Sequence, residues 1–207
     1  MRRITKAALG GVAGCALVLG ATQVASGSAV EEYNYEKVDL VDIRPLPVTP
    51  EDPDAETFDN AIATLRIKEY PESGTASFKL RVEDIATSAA GRTFGAHLHT
   101  DPCHIVGTGG RAGPHYNHDV VTGDVVPARI SSETEVWFDL VPSDNGVATA
   151  NITVPFAPDD SELILPLTNQ ISGDMAVIIH ALPTNSGSGA AGFRQACMPL
   201  PAPQWLD

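Results

Sequence analysis

Lysine disappears from this chain after Lys79, and between His115 and Cys197 the only cationic side chains are Arg129 and Arg194. The 207 residues carry 13 Lys and Arg against 26 Asp and Glu, a formal net charge of −13. Nucleic-acid binding needs a basic face and is excluded as a function class. Any site in the second half that attracts an anion must rely on those two arginines or on a metal. Heptads and long helical periods are missing as well, which excludes a coiled coil. The chain has 18 Gly, 16 Pro and only 19% charged residues. That composition favours a β-rich globular domain, and the length suits a single domain with a proper core. Cysteine is scarce, at three residues.

The first 29 residues read as a secretory signal. Arg2, Arg3 and Lys6 form a positive start, and an apolar stretch rich in Gly and Ala runs from Ala7 to Ala25. Cleavage is expected near Ser26 to Ala29. Val12-Ala13-Gly14-Cys15 also resembles a lipobox, so lipidation at Cys15 is the alternative and would be the one route to membrane attachment. Against it, the apolar run continues past Cys15 through Leu19. Removing the segment takes away three cations and no acid, leaving a still more acidic protein. In an exported chain Cys103 and Cys197 are expected to oxidise. A staple over so long a loop contributes roughly 4–5 kcal/mol by the chain-entropy estimate.

Residues 30–55 are acidic and contain Pro45, Pro47, Pro50 and Pro53. They read as an extended linker or arm, with at most an edge strand over Lys37 to Ile43. The domain proper spans 56–207. Asn60 to Tyr70 and Thr75 to Ile85 alternate apolar and polar side chains around a Pro71-Glu72-Ser73-Gly74 turn, which predicts a hairpin with one wet face. Arg92 to His99 is the next strand. Glu135 to Val141 and Val147 to Val154 predict a second hairpin about Asn145-Gly146. Met175 to Ala181 suits a buried strand and Phe193 to Leu200 the last one. Asp101 to about Thr134 lacks a period, and so long a loop is usually functional. The sum is about seven to eight antiparallel strands in an all-β sandwich with long loops.

Gly95-Ala96-His97-Leu98-His99 places two imidazoles at i and i+2, on one face of a strand. His115 follows a Gly113-Pro114 turn that would present its ring, and His180 ends the apolar run Met175 to Ile179. Four imidazoles suit copper or zinc, and a redox role favours copper. His104 and His118 read as surface or capping residues.

Gly95 to His99, Ala112-Gly113-Pro114-His115-Tyr116-Asn117, Val177-Ile178-Ile179-His180 and Gly189 to Cys197 together resemble the copper/zinc superoxide dismutase family, over about Asn60 to Leu200. The resemblance implies a Greek-key β-sandwich or flattened barrel. It implies copper ligands His97, His99, His115 and His180, a Cys103–Cys197 disulfide, and Arg194 as the guanidinium beside the copper. It further implies superoxide as substrate, with His115 and Arg194 acting in the reaction. The chain departs from the family pattern in two places. Asp139 matches a zinc-binding aspartate, but Val136 stands where the family places a histidine. His118 is the only histidine between His115 and His180, so a zinc site is not expected. An improvised set of His115, His118, Asp139 and Asp119 or Asp124 is the alternative. The thirteen residues between His180 and Arg194 are Gly/Ser-rich and uncharged, so the long charged loop is largely missing.

Both departures resemble the copper-only branch of the family. There a carboxylate would orient the His115 imidazole in place of zinc; Asp139 is the first candidate and Glu135 the reserve. The expected function is that of an exported copper-dependent dismutase. A non-catalytic copper-binding envelope protein of the same fold is the alternative. Nothing in the sequence sets an oligomeric state.

Overall fold

A computed structural model describes residues 30–44, 56–103, 112–123, 126–155 and 175–201. Among the described residues, nine strands form two antiparallel sheets. One has the order β1 (Glu31–Asp39), β3 (Ile62–Tyr70), β4 (Thr75–Glu83), β7 (Ala148–Pro155). The other has the order β2 (Val41–Asp42), β9 (Arg194–Leu200), β8 (Met175–His180), β5 (Phe94–His99), β6 (Trp137–Leu140). Both sheets keep open edges, so the all-β architecture is a sandwich and not a closed barrel. Among the described residues, no helix is long and apolar enough to cross a membrane.

The first hairpin forms as the alternation predicts. β3 and β4 pair from Ile62↔Glu83 to Tyr70↔Thr75, and Gly74 closes the turn at φ 58°. Leu65, Ile67, Phe78, Leu80 and Val82 face inward, while Arg66 and Lys79 face solvent. Phe78 meets Phe138 of β6 edge-on at 6.3 Å, joining the two sheets across the core.

The expected linker over 30–55 is corrected in its first part. Glu31–Asp39 is the edge strand of the four-stranded sheet, and Val41–Asp42 pairs with β9. Tyr33, Tyr35 and Val38 pack against the core, and Leu40 and Ile43 are buried. A bulge between Tyr35 and Val38, with Lys37 at φ 51°, breaks the period that would have announced the strand. Residues 45–55, the signal segment with Cys15, and also His104 and Asp124 lie outside the described residues.

The second expected hairpin is also corrected. β6 pairs with β5 and β7 with β4, in different sheets. The Asn145-Gly146 turn does form, with Gly146 at φ 69°, but it carries the chain across the end of the sandwich. There Ile85 N donates to Gly146 O at 3.0 Å. A Cβ on Gly146 would collide with the Ile85 carbonyl, so glycine is required by both conformation and contact. Strands β4 to β7 therefore make a Greek-key-like wrap, with the outer pair bonded in one sheet and the inner pair in the other.

β5 and β8 are buried at every position. One face of each meets the main core. The other face of β8, with Ala176 and Ile178, is covered by Ile43, Ala112 and Cys197, with Val41 and Cys103 packed on them. That cover explains why β8 is continuously apolar rather than alternating.

Candidate metal centre

The outer face of the five-stranded sheet carries the site. Alternation along β5 sends Phe94, Ala96 and Leu98 into the core and His97 and His99 outward, their rings stacked at 6.4 Å. β8 runs beside β5 and ends in His180, whose ring lies 4.8 Å from that of His97. The His97↔Trp137 pair is followed by one more bond, Leu98 N to Val136 O at 3.2 Å, and from there residues 114–116 take the place of β6 beside β5. Tyr116 N donates to Leu98 O, Thr100 N donates to Pro114 O, and His115 bridges His99. This is how the Gly113-Pro114 turn presents His115, as the sequence predicts. The required turn is specific: Gly113 has φ 69°, and a Cβ there would sit 2.5 Å from the Asp101 carboxyl carbon.

One ligand atom from each of His97, His99, His115 and His180 lies within 4.8 Å of all the others, and no other such group occurs among the described residues. His97, His99 and His180 are at most 5% exposed. Each ring commits one nitrogen outward. His99 Nδ1 donates to Gly113 O at 3.0 Å and His180 Nδ1 to Gly192 O at 3.2 Å. His115 Nδ1 lies 2.8 Å from Glu135 Oε2, and His97 Nε2 2.9 Å from Thr184 Oγ1. The inward Nε2 atoms of His99 and His180 are buried without a hydrogen-bond partner. Two orphaned acceptors aimed at the same point as His97 Nδ1 and His115 Nε2 are what a metal ion satisfies. The cluster therefore fits a metal ion, held by imidazoles alone.

Burial holds the imidazoles of His97, His99 and His180 neutral, as ligation requires. It pushes the His97 pKa down to about 2, helped by the charges of His115 and His180. His180 falls to about 4 for the same first reason, despite its bond to Gly192. His99 lies well below the usual imidazole value, again chiefly through burial.

The carboxylate on His115 is Glu135, not Asp139. Glu135 is 4% exposed and accepts from three sides: His115 Nδ1, Trp137 Nε1 at 2.7 Å and Asn117 Nδ2 at 3.0 Å. Burial raises its pKa, but the three hydrogen bonds outweigh burial and leave it below the usual carboxylate value. Asp139 shares that strand face but sits four residues further along, exposed, accepting from Thr184 N at 3.2 Å. The improvised zinc set does not assemble either. His118 Nδ1 bonds the Tyr116 hydroxyl, and Asp119 is held by Arg129 at 2.8 Å. His118 is buried at the start of a short helix, α1 (His118–Thr122), capped by Asn117, rather than lying at the surface.

Arg194 reaches the site through a bulge. Ile179 pairs with Ala196, yet His180 pairs with Arg194, so one residue of β9 is skipped. The extra residue turns Arg194 to the face that carries His180. Its Nη2 donates to Gly113 O at 2.9 Å, the same carbonyl that accepts from His99. Burial lowers the Arg194 pKa, partly offset by Asp101. Cys103 and Cys197 are joined, with Cα atoms 5.9 Å apart, pinning the segment after His99 to β9. Such a bond suits an oxidising, extracytoplasmic environment.

Sequence reasoning missed Trp137 and Thr184. Trp137 had a signal, since it shares a strand face with Glu135; Thr184, in a Gly/Ser loop, had none. No protein-family model and no curated protein sequence matches the chain.

Proposed function

We propose that this chain is an exported, copper-dependent superoxide dismutase that protects the cell envelope from extracellular superoxide. The observation that carries the reading is a half-buried guanidinium beside four converging imidazoles, one of them braced by the Glu135 carboxylate, with no second metal-binding cluster among the described residues. Copper in this site would supply one-electron redox chemistry that turns two superoxide ions and two protons into O2 and H2O2.

The residues of the chain supply the rest. Arg194 offers the positive charge that draws a small anion toward an acidic protein and hydrogen-bonds it next to the imidazoles. The Gly113 carbonyl fixes the guanidinium and the His99 ring together, so the distance between charge and ligand set is built into the fold. Glu135 holds the His115 Nδ1 proton, leaving His115 Nε2 as the inward nitrogen. The His115 side chain is 23% exposed, which lets it hand a proton from solvent to the product.

Replacing Arg194 with alanine tests the reading against plain copper binding. A dismutase loses about 10-fold or more in rate with its copper retained, the scale of one charge-assisted contact. Copper-loaded wild-type protein with no activity above free copper refutes the enzyme; unchanged activity in the variant removes the role of Arg194.

A further inference from the structure

The loop between His180 and Arg194 is short and uncharged, yet it is fastened to the metal centre. Gly95 N donates to Leu182 O at 2.8 Å, and Thr184 N donates to Asp139, the residue opposite Gly95 in the β5–β6 register. A Cβ on Gly95 would lie 2.6 Å from Thr184 Oγ1 and 2.8 Å from Ala191 Cβ, so the loop closes over β5 only because that position is glycine. Thr184 Oγ1 then stands 2.9 Å from His97 Nε2.

The four outward nitrogens do not meet the same kind of group. Those of His99 and His180 meet backbone carbonyls, and that of His115 a carboxylate; these accept and never donate. Their tautomers are therefore fixed. His97 meets a hydroxyl, which does both. Since His115 Nδ1 donates to Glu135, His115 Nε2 is an acceptor, and the 3.0 Å contact between it and His97 Nδ1 needs the proton on His97 Nδ1. His97 Nε2 is then an acceptor and takes the Thr184 hydroxyl proton. When a cation takes the inward nitrogens, His97 Nδ1 must give up its proton, and the ring carries one at Nε2 instead. The hydroxyl turns and accepts it.

We propose that Thr184 is the positioning residue of His97, switching from donor to acceptor so that this ring alone changes tautomer as metal enters. The proposal rests on the four histidines being a metal centre, and it makes the loop a holder of ligands instead of a guide for substrate. Asp139, exposed and off the His115 axis, acts here through the Thr184 backbone.

Cu(II) affinity is measured by chelator competition on wild type, Thr184→Val, Thr184→Ser and, as a loop control, Ser188→Ala. Histidine 15N spectra are recorded with and without Zn(II). Thr184→Val keeps the shape and removes the hydroxyl; its Cu(II) affinity is expected to fall about 10–100-fold, with serine restoring it and Ser188→Ala unchanged. In wild type the His97 proton is expected at Nδ1 without zinc and at Nε2 with it.

Valine within about twofold of wild type overturns the proposal, since an outer hydrogen bond of this kind should cost more. So does equal weakening by valine and serine, which would point to loop packing. A His97 proton that stays at Nε2 in both states overturns the switch. Wild type that holds neither metal overturns the metal centre along with it. A copper-loaded wild type without dismutation refutes the proposed function and leaves the role of Thr184 intact.

Discussion

Glu135→Gln is the substitution that separates a braced imidazole from an incidental one. The carboxylate receives three N–H donors: His115 and Trp137 on Oε2, Asn117 on Oε1. Glutamine has one acceptor oxygen and one amide nitrogen for the same three donors. With its oxygen in the Oε2 position, the amide confronts Asn117 Nδ2. Asn117 is not free to turn, because Nδ2 also donates to Arg129 O at 2.6 Å and Oδ1 caps Val120 N. With the amide in the Oε2 position, Trp137 loses its acceptor and His115 Nδ1 must accept, which moves the ring proton to Nε2, the inward nitrogen. Either way one buried donor goes unsatisfied, at about 1–3 kcal/mol, and the surviving bonds lose their charge assistance. The expected destabilisation of the metal-free protein is about 3 kcal/mol in urea unfolding. Cu(II) affinity is expected to drop about 10–100-fold in chelator competition. Asp139→Asn serves as the control, since its amide oxygen still accepts from Thr184. The reasoning fails if Glu135→Gln stays within about 0.5 kcal/mol of wild type, a surface-substitution effect, or if Asp139→Asn weakens copper as much.

Two further outcomes follow from the electrostatics. His97, His99 and His180 all have folded pKa values below the unfolded imidazole value of 6.5. Their contribution is full above 6.5 and is lost as pH falls toward the folded values. Between pH 6.5 and 4 His180 alone removes about 3 kcal/mol at most, so the unfolding midpoint of the metal-free protein should fall from pH 7 to 5, and a flat profile refutes the burial argument. Under the proposed function, the net charge of −13 would repel superoxide from the copper-loaded protein over distances that salt screens, while Arg194 would act at contact range. Raising ionic strength from about 0.01 to 0.15 M shortens the screening length from about 30 to 8 Å, so the dismutation rate should hold or rise; a steep fall refutes this division.

Much of the centre was legible because strand alternation is a strong local constraint. His97 and His99 had to share a face, and the Gly113-Pro114 turn and the end of the apolar run marked His115 and His180. The choice between Glu135 and Asp139 was not legible. Both fall at alternate positions of the same predicted strand, and only the bridge between Asn117 and Glu135, a tertiary contact just before β6, brings one of them to His115. Asn145-Gly146 looks the same in a hairpin and in a crossover; the docking of Ile85 on Gly146 decides it. The β1 strand was hidden by its bulge at Lys37.

The bulge at the start of β9 and the Gly113 carbonyl together explain how distant parts of the chain stay in register at the site. Strict alternation in β9 would send Arg194 to the same side as Ala196 and Met198, into the core. Skipping one residue reverses that and leaves the rest of β9 paired with β8 as far as Leu200. The guanidinium then ends on the carbonyl of Gly113, which belongs to the turn that presents His115 and also takes the His99 proton. Two residues beyond the skipped one, Cys197 ties β9 to Cys103, at the other end of the segment that leaves His99. A shift of β9 along β8 would thus move Arg194 off the Gly113 carbonyl and pull on the Cys103–Cys197 bond at once. The charge is held beside the imidazoles by the same pairings that hold the sheet together, which is why so short and uncharged a loop is enough to finish the site.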